Sequence, residues 1–321
     1  MICAPFVGVN HHGNNVMFGC AFLLDEKTDS LIWLFRNFLY SMGDKVPKTI
    51  FTDQDKAIMN AIDEVFPQSR HRLCQWHIWK KVTSYLGALS KDRTFMSQFY
   101  SCFDGVESSD EFEMTWQKMI VDFQLEKNSW PCSLYKLRNR WSAGLSNDVF
   151  SAGILSTQRS ESTNHVLNDI STTTTGLTIW VRRFENLVDG WRKKESNEDF
   201  RCKHESPFCE INIGLIKHAK RAYTINMFTR FKIQYILMLE MTWKELDSDG
   251  STTMYEVKGE EIDENEPWVM KSKRRAKASK GDNIKVRTVT FDKAKSIICC
   301  TCKMFETEGI LCRHTLKILS L

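Results

Sequence analysis

The sequence predicts an α/β domain followed by a small β-rich domain that is stabilised by a metal ion. Residues 5–66 alternate short apolar runs, which are typical of strands, with segments whose apolar side chains recur at helical spacing. Residues 87–150 continue with a long stretch of helical pattern. Two pairs of metal-ligating residues lie near the carboxyl end, in a region whose alternating polarity predicts strands.

Composition excludes several classes of protein. The chain has 321 residues, 42% of them hydrophobic, so it is long enough for two domains and too apolar for a disordered chain. The net charge of +4 is too small to indicate nucleic-acid binding by itself. The apolar runs are too short for a membrane span, and the amino-terminal residues do not form a signal peptide. Eleven cysteines without a secretory signal favour metal binding over disulfides.

The amino-terminal region predicts a sheet with helices. The predicted elements are a hairpin, a helix, a strand and a helix, at residues 5–24, 28–42, 48–52 and 55–66. A short strand follows at residues 72–74. The order strand, strand, helix, strand, helix is that of a ribonuclease H-like core without its first strand.

Two early pairs of potential metal ligands are interpreted as structural. Adjacent strand residues face opposite ways, so His11 and His12 are not expected to share one ion. Cys74 and His77 are too few for a closed zinc site, so local packing is favoured and metal or DNA contact is the alternative. Nearby basic residues either contact phosphates or form a solvated face: Arg70, Arg72, Lys80 and Lys81.

Two acidic residues lie at the boundaries of predicted elements. Asp53 follows the short apolar strand, where a carboxylate either takes part in metal chemistry or caps the next helix. Glu161 falls near the start of a predicted helix that Ser160 or its neighbour would cap.

The middle of the chain is predicted to be helical. Aromatic side chains at helical spacing are expected to form core: Phe112, Trp116, Phe123, Trp130 and Trp141. A long helix begins at Leu177 and ends at residues 192–194, a linker covers residues 195–210, and helix returns at residues 211–245. The chain is therefore divided into a main domain, a helical linker region and a carboxyl-terminal region, at residues 1–197, 198–248 and 249–321.

The strongest local pattern is the cysteine and histidine set near the end of the chain. Residues 286–302 alternate as a strand, so Cys300 and Cys302 point the same way and Cys299 points the other way. Cys312 and His314 form a second pair at a helix start. Three thiolates and one imidazole make a closed tetrahedral site for Zn²⁺. Because a domain this small has little core, zinc would supply much of its folding free energy.

Several spaced motifs resemble the far-red impaired response family, plant transcription regulators derived from Mutator-like element transposases. The matching segments are PFVGVNHH, FGCA, TDQDKA, RLCQWH and STQRSES, at residues 5–12, 18–21, 52–57, 72–77 and 156–162. The Cys300-to-His314 pattern resembles the SWIM zinc finger of the same proteins.

The resemblance implies a ribonuclease H-like transposase-derived domain with an all-helical insertion at about residues 87–150, and a small β-rich SWIM zinc finger. It makes Asp53 and Glu161 the second and third acids of a vestigial catalytic triad. The first acid would lie on a strand before the hairpin, and Asp25 is a poor substitute for it. We expect this chain to lack that strand and its acid, and therefore not to be an enzyme.

The resemblance further implies a nuclear, zinc-binding and DNA-associated transcription regulator in light-controlled development. We expect weak DNA binding by the chain alone, homodimers or heterodimers with related proteins, and no membrane association. Residues 271–280 are basic and either direct nuclear import, touch phosphates or form an exposed loop. The alternatives are a truncated or decayed Mutator-like transposase, and a dimerising protein-interaction fragment.

Overall fold

A computed structural model describes residues 2–106, 108–154, 157–170, 175–211, 213–259 and 286–321. The chain folds into two compact units, which cover residues 1–205 and 206–321. Within the described ranges, the helices are all too short or too polar to cross a lipid bilayer.

The first unit combines strands with helices. Its described elements are, in order, β1 (Ile2–Val9), β2 (Asn15–Leu23), α1 (Thr28–Ser41), β3 (Thr49–Thr52), α2 (Lys56–Val65), β4 (Arg70–Leu73), α3 (Gln75–Leu86), α4 (Arg93–Tyr100), α5 (Ser109–Asp122), α6 (Ser129–Lys136), α7 (Arg138–Trp141), α8 (Gln158–Asp169) and α9 (Leu177–His204). A 3-10 helix at Gly87–Lys91 precedes α4, and a π-helical turn at Ser101–Gly105 follows it.

The β1–β2 hairpin lies between two layers of helices. The two strands are antiparallel, and alternate side chains of β1 face opposite layers because successive strand residues alternate. Ile2, Ala4 and Phe6 pack in the apolar core with α1 and α2. Cys3 and Val7 pack on the other side with residues of α8 and α9. The predicted hairpin is therefore confirmed, and both of its faces are covered.

β3 and β4 form a separate parallel pair, in which Thr49 lies opposite Arg70. Ile50 of β3 belongs to the same apolar core as the hairpin, α1 and α2. The amphipathic helix α2 buries Ala61 and Ile62 in that core. The mixed helix and sheet character that the sequence predicts is confirmed for this unit.

The helices α3 to α7 surround a core that is rich in aromatic side chains. Residues with at most 1% exposure include Phe95, Phe99, Phe103, Phe112 and Trp141. The prediction that the aromatic stripes form core is confirmed, because these side chains are buried together in one cluster. Their burial is the main apolar contribution to the stability of this region.

Two boundaries in the first unit differ from the sequence prediction. The helix α9 continues to His204, so the expected linker at residues 195–210 is largely helical. α8 begins at Gln158 with Thr157 as its N-cap residue, not at Ser160. The charged residues after Lys194 read as a linker, but i, i+4 pairs such as Arg201 with Glu205 support a solvated helix.

The second unit packs helices against an antiparallel sheet. Its described elements are α10 (Gly214–Ala222), α11 (Ile225–Leu237), a 3-10 turn (Met238–Glu240), β5 (Met241–Ser248), β6 (Thr252–Gly259), β7 (Arg287–Asp292), β8 (Ile297–Cys300), α12 (Met304–Glu308) and α13 (Arg313–Leu319). The strand order is β5-β6-β7-β8. Ile310 and Leu316 complete an apolar core with Phe228 and Phe231 of α11.

The prediction that helix extends to residue 245 is wrong, because β5 starts at Met241. Met, Lys, Glu and Leu favour helix locally, but pairing of β5 with β6 satisfies its backbone groups along the strand. Trp243 also lies edge-on to Tyr255 of β6, at 5.8 Å between ring centroids. Tertiary pairing thus overrides local propensity here.

Some sequence predictions fall outside the described residues. The basic run at residues 271–280 belongs to the segment 260–285, which is not described. For Glu161 the structure describes the helical backbone but not the side chain.

Candidate metal centre

The structure brings Cys300, Cys302, Cys312 and His314 together, with their ligand atoms all within 4.8 Å of one another. Cys300, Cys312 and His314 are at most 5% exposed. The Nδ1 atom of His314 lies 3.7 Å from Cys300 Sγ. In a tetrahedral zinc site, bonds of about 2.3 Å to sulfur and 2.0 Å to nitrogen separate the two ligand atoms by about 3.5 Å. The four side chains are therefore already arranged around a volume of the right size.

The chemistry of the histidine also fits a metal ion. His314 is 1% exposed, and its Nε2 atom is buried without a hydrogen-bond partner among the described residues. Burying an imidazole costs free energy unless a partner compensates for the lost water. A metal ion bound through the imidazole would supply a partner for one of its two nitrogens.

Backbone geometry between the two ligand pairs places the sulfurs. Cys300 ends β8, and the chain then turns through Lys303, which has a left-handed φ of 56° and precedes α12. Gly309 ends α12 with a φ of 73°, a conformation that glycine adopts without steric cost. Cys312 is the N-cap residue of α13, where its sulfur accepts a hydrogen bond from Thr315 N at 3.4 Å.

Hydrogen bonds among the three cysteine thiols shift their pKa values. The pKa of Cys312 is held well below its usual value, because the Cys300 and Cys302 thiols hydrogen-bond to its sulfur and His314 adds a further interaction. The pKa of Cys302 is raised well above its usual value by its hydrogen bonds to Cys300 and Cys312 and by burial. A bound metal ion would stabilise the thiolate form of all three cysteines.

The reason why Cys302 joins the cluster differs from the predicted one. The strand β8 ends at Cys300, so Cys302 is placed by the turn that follows and not by strand alternation. The backbone N–H of Cys302 points back to Cys300 Sγ at 3.5 Å. Cys299 is exposed and, as expected, lies outside the cluster.

Asp53 directly follows β3 and is exposed at the carboxyl end of that strand. The alternative role as a helix cap belongs to another residue, because Asp55 is the N-cap of α2 and accepts a hydrogen bond from Ile58 N at 2.9 Å. Asp53 thus has no capping function, and its carboxylate faces solvent beside the parallel strand pair.

A chain of hydrogen bonds fixes the backbone of Asp53. Arg140 Nη1 donates to His71 Nδ1 at 2.8 Å, and the same guanidinium pairs with Asp63 at 2.7 Å. Arginine can only donate, so His71 carries its proton on Nε2, which donates to Thr52 Oγ1 at 2.7 Å. The Thr52 hydroxyl then donates to the carbonyl oxygen of Asp53 at 2.9 Å. Sequence reasoning missed this network, because its members are far apart in the chain.

The network predicts a dependence of stability on pH. Burial, reinforced by the adjacent Arg140, lowers the pKa of His71 from 6.5 to about 4. As the pH falls below 6.5, His71 becomes protonated in the unfolded chain but stays neutral in the folded chain until about pH 4. The free energy of unfolding therefore falls over this range. We expect a loss of about 3 kcal/mol between pH 7 and pH 4 from this residue.

Urea unfolding at a series of pH values measures that loss. The His71→Gln variant should be less stable at pH 7 but should show a shallower decline towards pH 4. His165→Gln, at an exposed position of α8, should decline as the unchanged protein does. Parallel pH profiles for all three proteins would contradict the assignment of a neutral, buried His71.

The Cys74 and His77 pair contacts the residue that precedes α8. Cys74 is fully buried, and its sulfur accepts a hydrogen bond from the backbone N–H of Thr157 at 3.2 Å. Thr157 Oγ1 lies 3.4 Å from His77 Nδ1. The pair therefore anchors the start of the helix in which Glu161 is the fourth residue. These contacts favour the local packing role over metal binding.

The basic residues around that pair are mostly engaged. Arg72 is 2% exposed and lies against the Phe51 ring, so it is excluded as a phosphate contact. Arg70 pairs with Asp148 at 2.6 Å. Lys80 lies over the ring of Trp76, at 4.4 Å, and remains exposed.

The interpretation of His11 and His12 from strand alternation is wrong, because neither residue is in a strand. β1 ends at Val9 and β2 begins at Asn15, so both histidines lie in the connecting turn. Both imidazoles approach the carboxylate of Asp199 in α9. The sequence shows the two histidines, but no local pattern predicts that α9 lies beside the turn.

In comparisons with known proteins, two segments of the chain match known domain families. Residues 1–81 match the family described as MULE transposase domain, and residues 286–321 match the SWIM zinc finger. The chain is 33% identical over 319 residues to Protein FAR-RED IMPAIRED RESPONSE 1 of Arabidopsis thaliana, covering 99% of this chain and 36% of that protein.

Two further relatives from Arabidopsis thaliana align in the same way. Protein FAR1-RELATED SEQUENCE 5 is 32% identical over 98% of this chain and 38% of its own length. Protein FAR1-RELATED SEQUENCE 9 is 29% identical over 99% of this chain and 55% of its own length. The chain thus spans between about a third and about half of the curated relatives. The predicted resemblance is confirmed: this is a FAR1-like chain in which a MULE transposase domain is followed by a SWIM zinc finger.

Proposed function

We propose that this chain acts as a nuclear transcription regulator of the far-red impaired response type, derived from a Mutator-like transposase. The observation that carries the proposal is the combination of a MULE domain and a SWIM finger in a chain that aligns almost end to end with FAR1-type proteins. A role in the light control of development rests on that resemblance alone.

One structural Zn²⁺ is proposed in the finger, held by Cys300, Cys302, Cys312 and His314. The burial of these residues and their mutual distances support a closed site without room for a reacting water. The ion would stabilise the fold of the second unit and would supply no catalytic chemistry.

The first unit is proposed to be a ribonuclease H-like core with a helical insertion. The antiparallel hairpin and β3 share one apolar core, and β3 pairs in parallel with β4, which supports that fold. The aromatic cluster of α4 to α7, which also includes Leu73 of β4 and Ile78 of α3, supports a helical insertion that packs against that domain.

Within the 321 residues, the resemblance assigns two of the three transposase acids, Asp53 and Glu161. Two carboxylates alone hold Mg²⁺ weakly, because the ion requires strict octahedral geometry. Because the chain resembles transposase-derived regulators, we propose that it does not cleave DNA and that it acts mainly through partners, including related proteins with which it dimerises.

The second unit offers a basic surface for weak DNA association. The helix α10 buries Ile216 and Ala219 on one side and exposes Lys217 and Arg221, and it contains no acidic residue. Exposed lysine and arginine side chains on one helix face can contact phosphates, which position a protein without reading sequence. DNA binding through this face would be sensitive to salt and poorly selective.

DNA-binding measurements at several salt concentrations test this proposal. The double variant Lys217→Glu with Arg221→Glu should bind DNA more weakly, and the salt dependence should fall by roughly 1–2 in logarithmic slope. The variant Lys91→Glu with Lys118→Glu makes the same change in net charge at exposed positions of the first unit, and its binding should remain close to that of the unchanged chain.

Two results would overturn parts of the proposal. Tight, sequence-selective binding by the isolated chain at physiological salt would refute partner-dependent action. Cleavage of the DNA on addition of Mg²⁺ that disappears in Asp53→Asn would show that the chain is an active nuclease.

A further inference from the structure

We propose that the turn of the β1–β2 hairpin and the carboxyl-terminal part of α9 form a second metal site, with His11, His12 and Asp199 as ligands. The site would take a divalent transition metal of the Zn²⁺, Ni²⁺ or Co²⁺ type, since two imidazoles and one carboxylate suit these ions better than Mg²⁺ or Ca²⁺. It lies entirely within the first unit and is independent of the function proposed above.

The three ligand groups already converge. His11 Nε2 lies 2.7 Å from Asp199 Oδ1, and His12 Nε2 lies 3.0 Å from the same oxygen. The two imidazole rings are 4.1 Å apart at their centroids. Around a zinc ion with bonds of about 2.0 Å, tetrahedral ligand atoms are separated by about 3.3 Å. A small widening of the cluster would therefore admit an ion.

Carboxylates also lie behind both imidazoles. His11 Nδ1 is 3.7 Å from Glu195, and His12 Nδ1 is 3.9 Å from Glu198. Residues 198 and 199 lie on the same face of α9 as residue 195, because they follow it by three and four residues. Metal-binding histidines commonly direct one nitrogen at the ion and the other at a carboxylate, which orients the ring and increases its basicity.

The turn is organised before any ion binds. The Asn10 side chain accepts hydrogen bonds from His12 N at 3.1 Å and Asn14 N at 3.0 Å. Gly13 has a φ of 78°, which lets the chain reverse within this short connection. From α8, Arg159 donates to the carbonyl oxygen of Gly13 at 3.1 Å. Both imidazoles are therefore held on the side that faces α9.

The charge of the His11, His12 and Asp199 cluster and its accessibility to solvent both suit a bound cation. Three carboxylates face two imidazoles, so these five groups keep a net negative charge even when both rings are protonated. The side chain of His12 is 1% exposed, whereas those of His11 and Asp199 are 54% and 43% exposed. One side of the site is thus closed by protein and the other remains accessible to an incoming ion and to water ligands.

Metal titration of the full chain tests this proposal. The protein is first saturated with zinc and dialysed against a weak chelator, so that only the finger retains metal, and Ni²⁺ or Zn²⁺ is then added while binding is followed by calorimetry. We expect one additional equivalent per chain. His11→Ala and Asp199→Asn, both at exposed positions, should bind it at least about tenfold more weakly, and His165→Ala, an exposed histidine of α8, should bind it unchanged.

Thermal unfolding gives a second readout. A metal ion that joins the hairpin to α9 binds only the folded chain, so Ni²⁺ should raise the unfolding midpoint by several degrees in the unchanged protein and in His165→Ala but not in Asp199→Asn. The proposal is overturned if no second equivalent binds, or if all variants bind it equally. It is also overturned if Asp199→Asn lowers stability without weakening metal binding, because the cluster would then be only a hydrogen-bonded contact.

Discussion

Replacing His314 with alanine is expected to abolish zinc retention and to unfold the sheet of the second unit. The residue is buried against Cys300, and its loss would leave three thiols and a cavity where a fourth ligand is required. Structural zinc sites contribute apparent binding free energies of about 10–16 kcal/mol. That is comparable to the whole stability of a typical domain, about 5–15 kcal/mol. Cys302→Ala should have the same effect.

Zinc content after dialysis against a chelator, with hydrogen exchange of the β5–β8 amides, measures this effect. Cys299→Ala is the matched control, since it removes an exposed thiol from the same strand. Asp199→Asn should also retain its finger zinc, which separates this site from the one in the hairpin turn. Equal zinc content in the unchanged protein, Cys302→Ala and His314→Ala would show that the ligand assignment is wrong.

The second large effect is expected from Trp141→Ala in the first unit. Trp141 is fully buried, and its ring centroid lies 4.7 Å from Phe103 and 5.6 Å from Phe112. Its Nε1–H donates to the Leu134 carbonyl at 2.8 Å. Truncation removes these contacts and leaves a cavity that the packed helices cannot fill. We expect a loss of about 3–5 kcal/mol in the free energy of unfolding.

Urea unfolding followed by circular dichroism measures this loss. Trp33→Ala removes the same side chain from α1, where it is 57% exposed, and should change stability by less than about 0.5 kcal/mol. A similar effect for both tryptophans would mean that the aromatic cluster does not carry the stability of this unit.

The sequence predicted the parts of the fold that depend on periodic local patterns. Phe112 and Trp141 were recognised as core because their neighbours recur at helical spacing, and the structure buries both. The set Cys300, Cys302, Cys312 was recognised because ligand type and spacing are read directly from the chain, and the structure brings these side chains together with His314.

Features that depend on distant contacts were predicted less well. The residues of β5 predict helix because they carry no local sign of the pairing with β6. Strand alternation does not explain the position of Cys302, because a turn at Lys303 that has no strong local signal follows the strand. The convergence of His11 and His12 on Asp199 requires α9 to pass the hairpin turn, and nothing near residue 11 encodes that.

The order in which the second unit is synthesised has a consequence for how it folds in the cell. The apolar faces of α10 and α11 are completed by Ile310 and Leu316, which leave the ribosome long after Phe228 and Phe231. At roughly 5–20 residues per second, several seconds of translation separate the synthesis of those phenylalanines from that of their packing partners. During that interval the nascent chain exposes apolar surface that chaperones can bind. The predicted zinc ligands are synthesised in the same late segment as Ile310 and Leu316. A chain that ends before α13 would therefore lack Leu316 and leave the apolar faces of α10 and α11 partly uncovered.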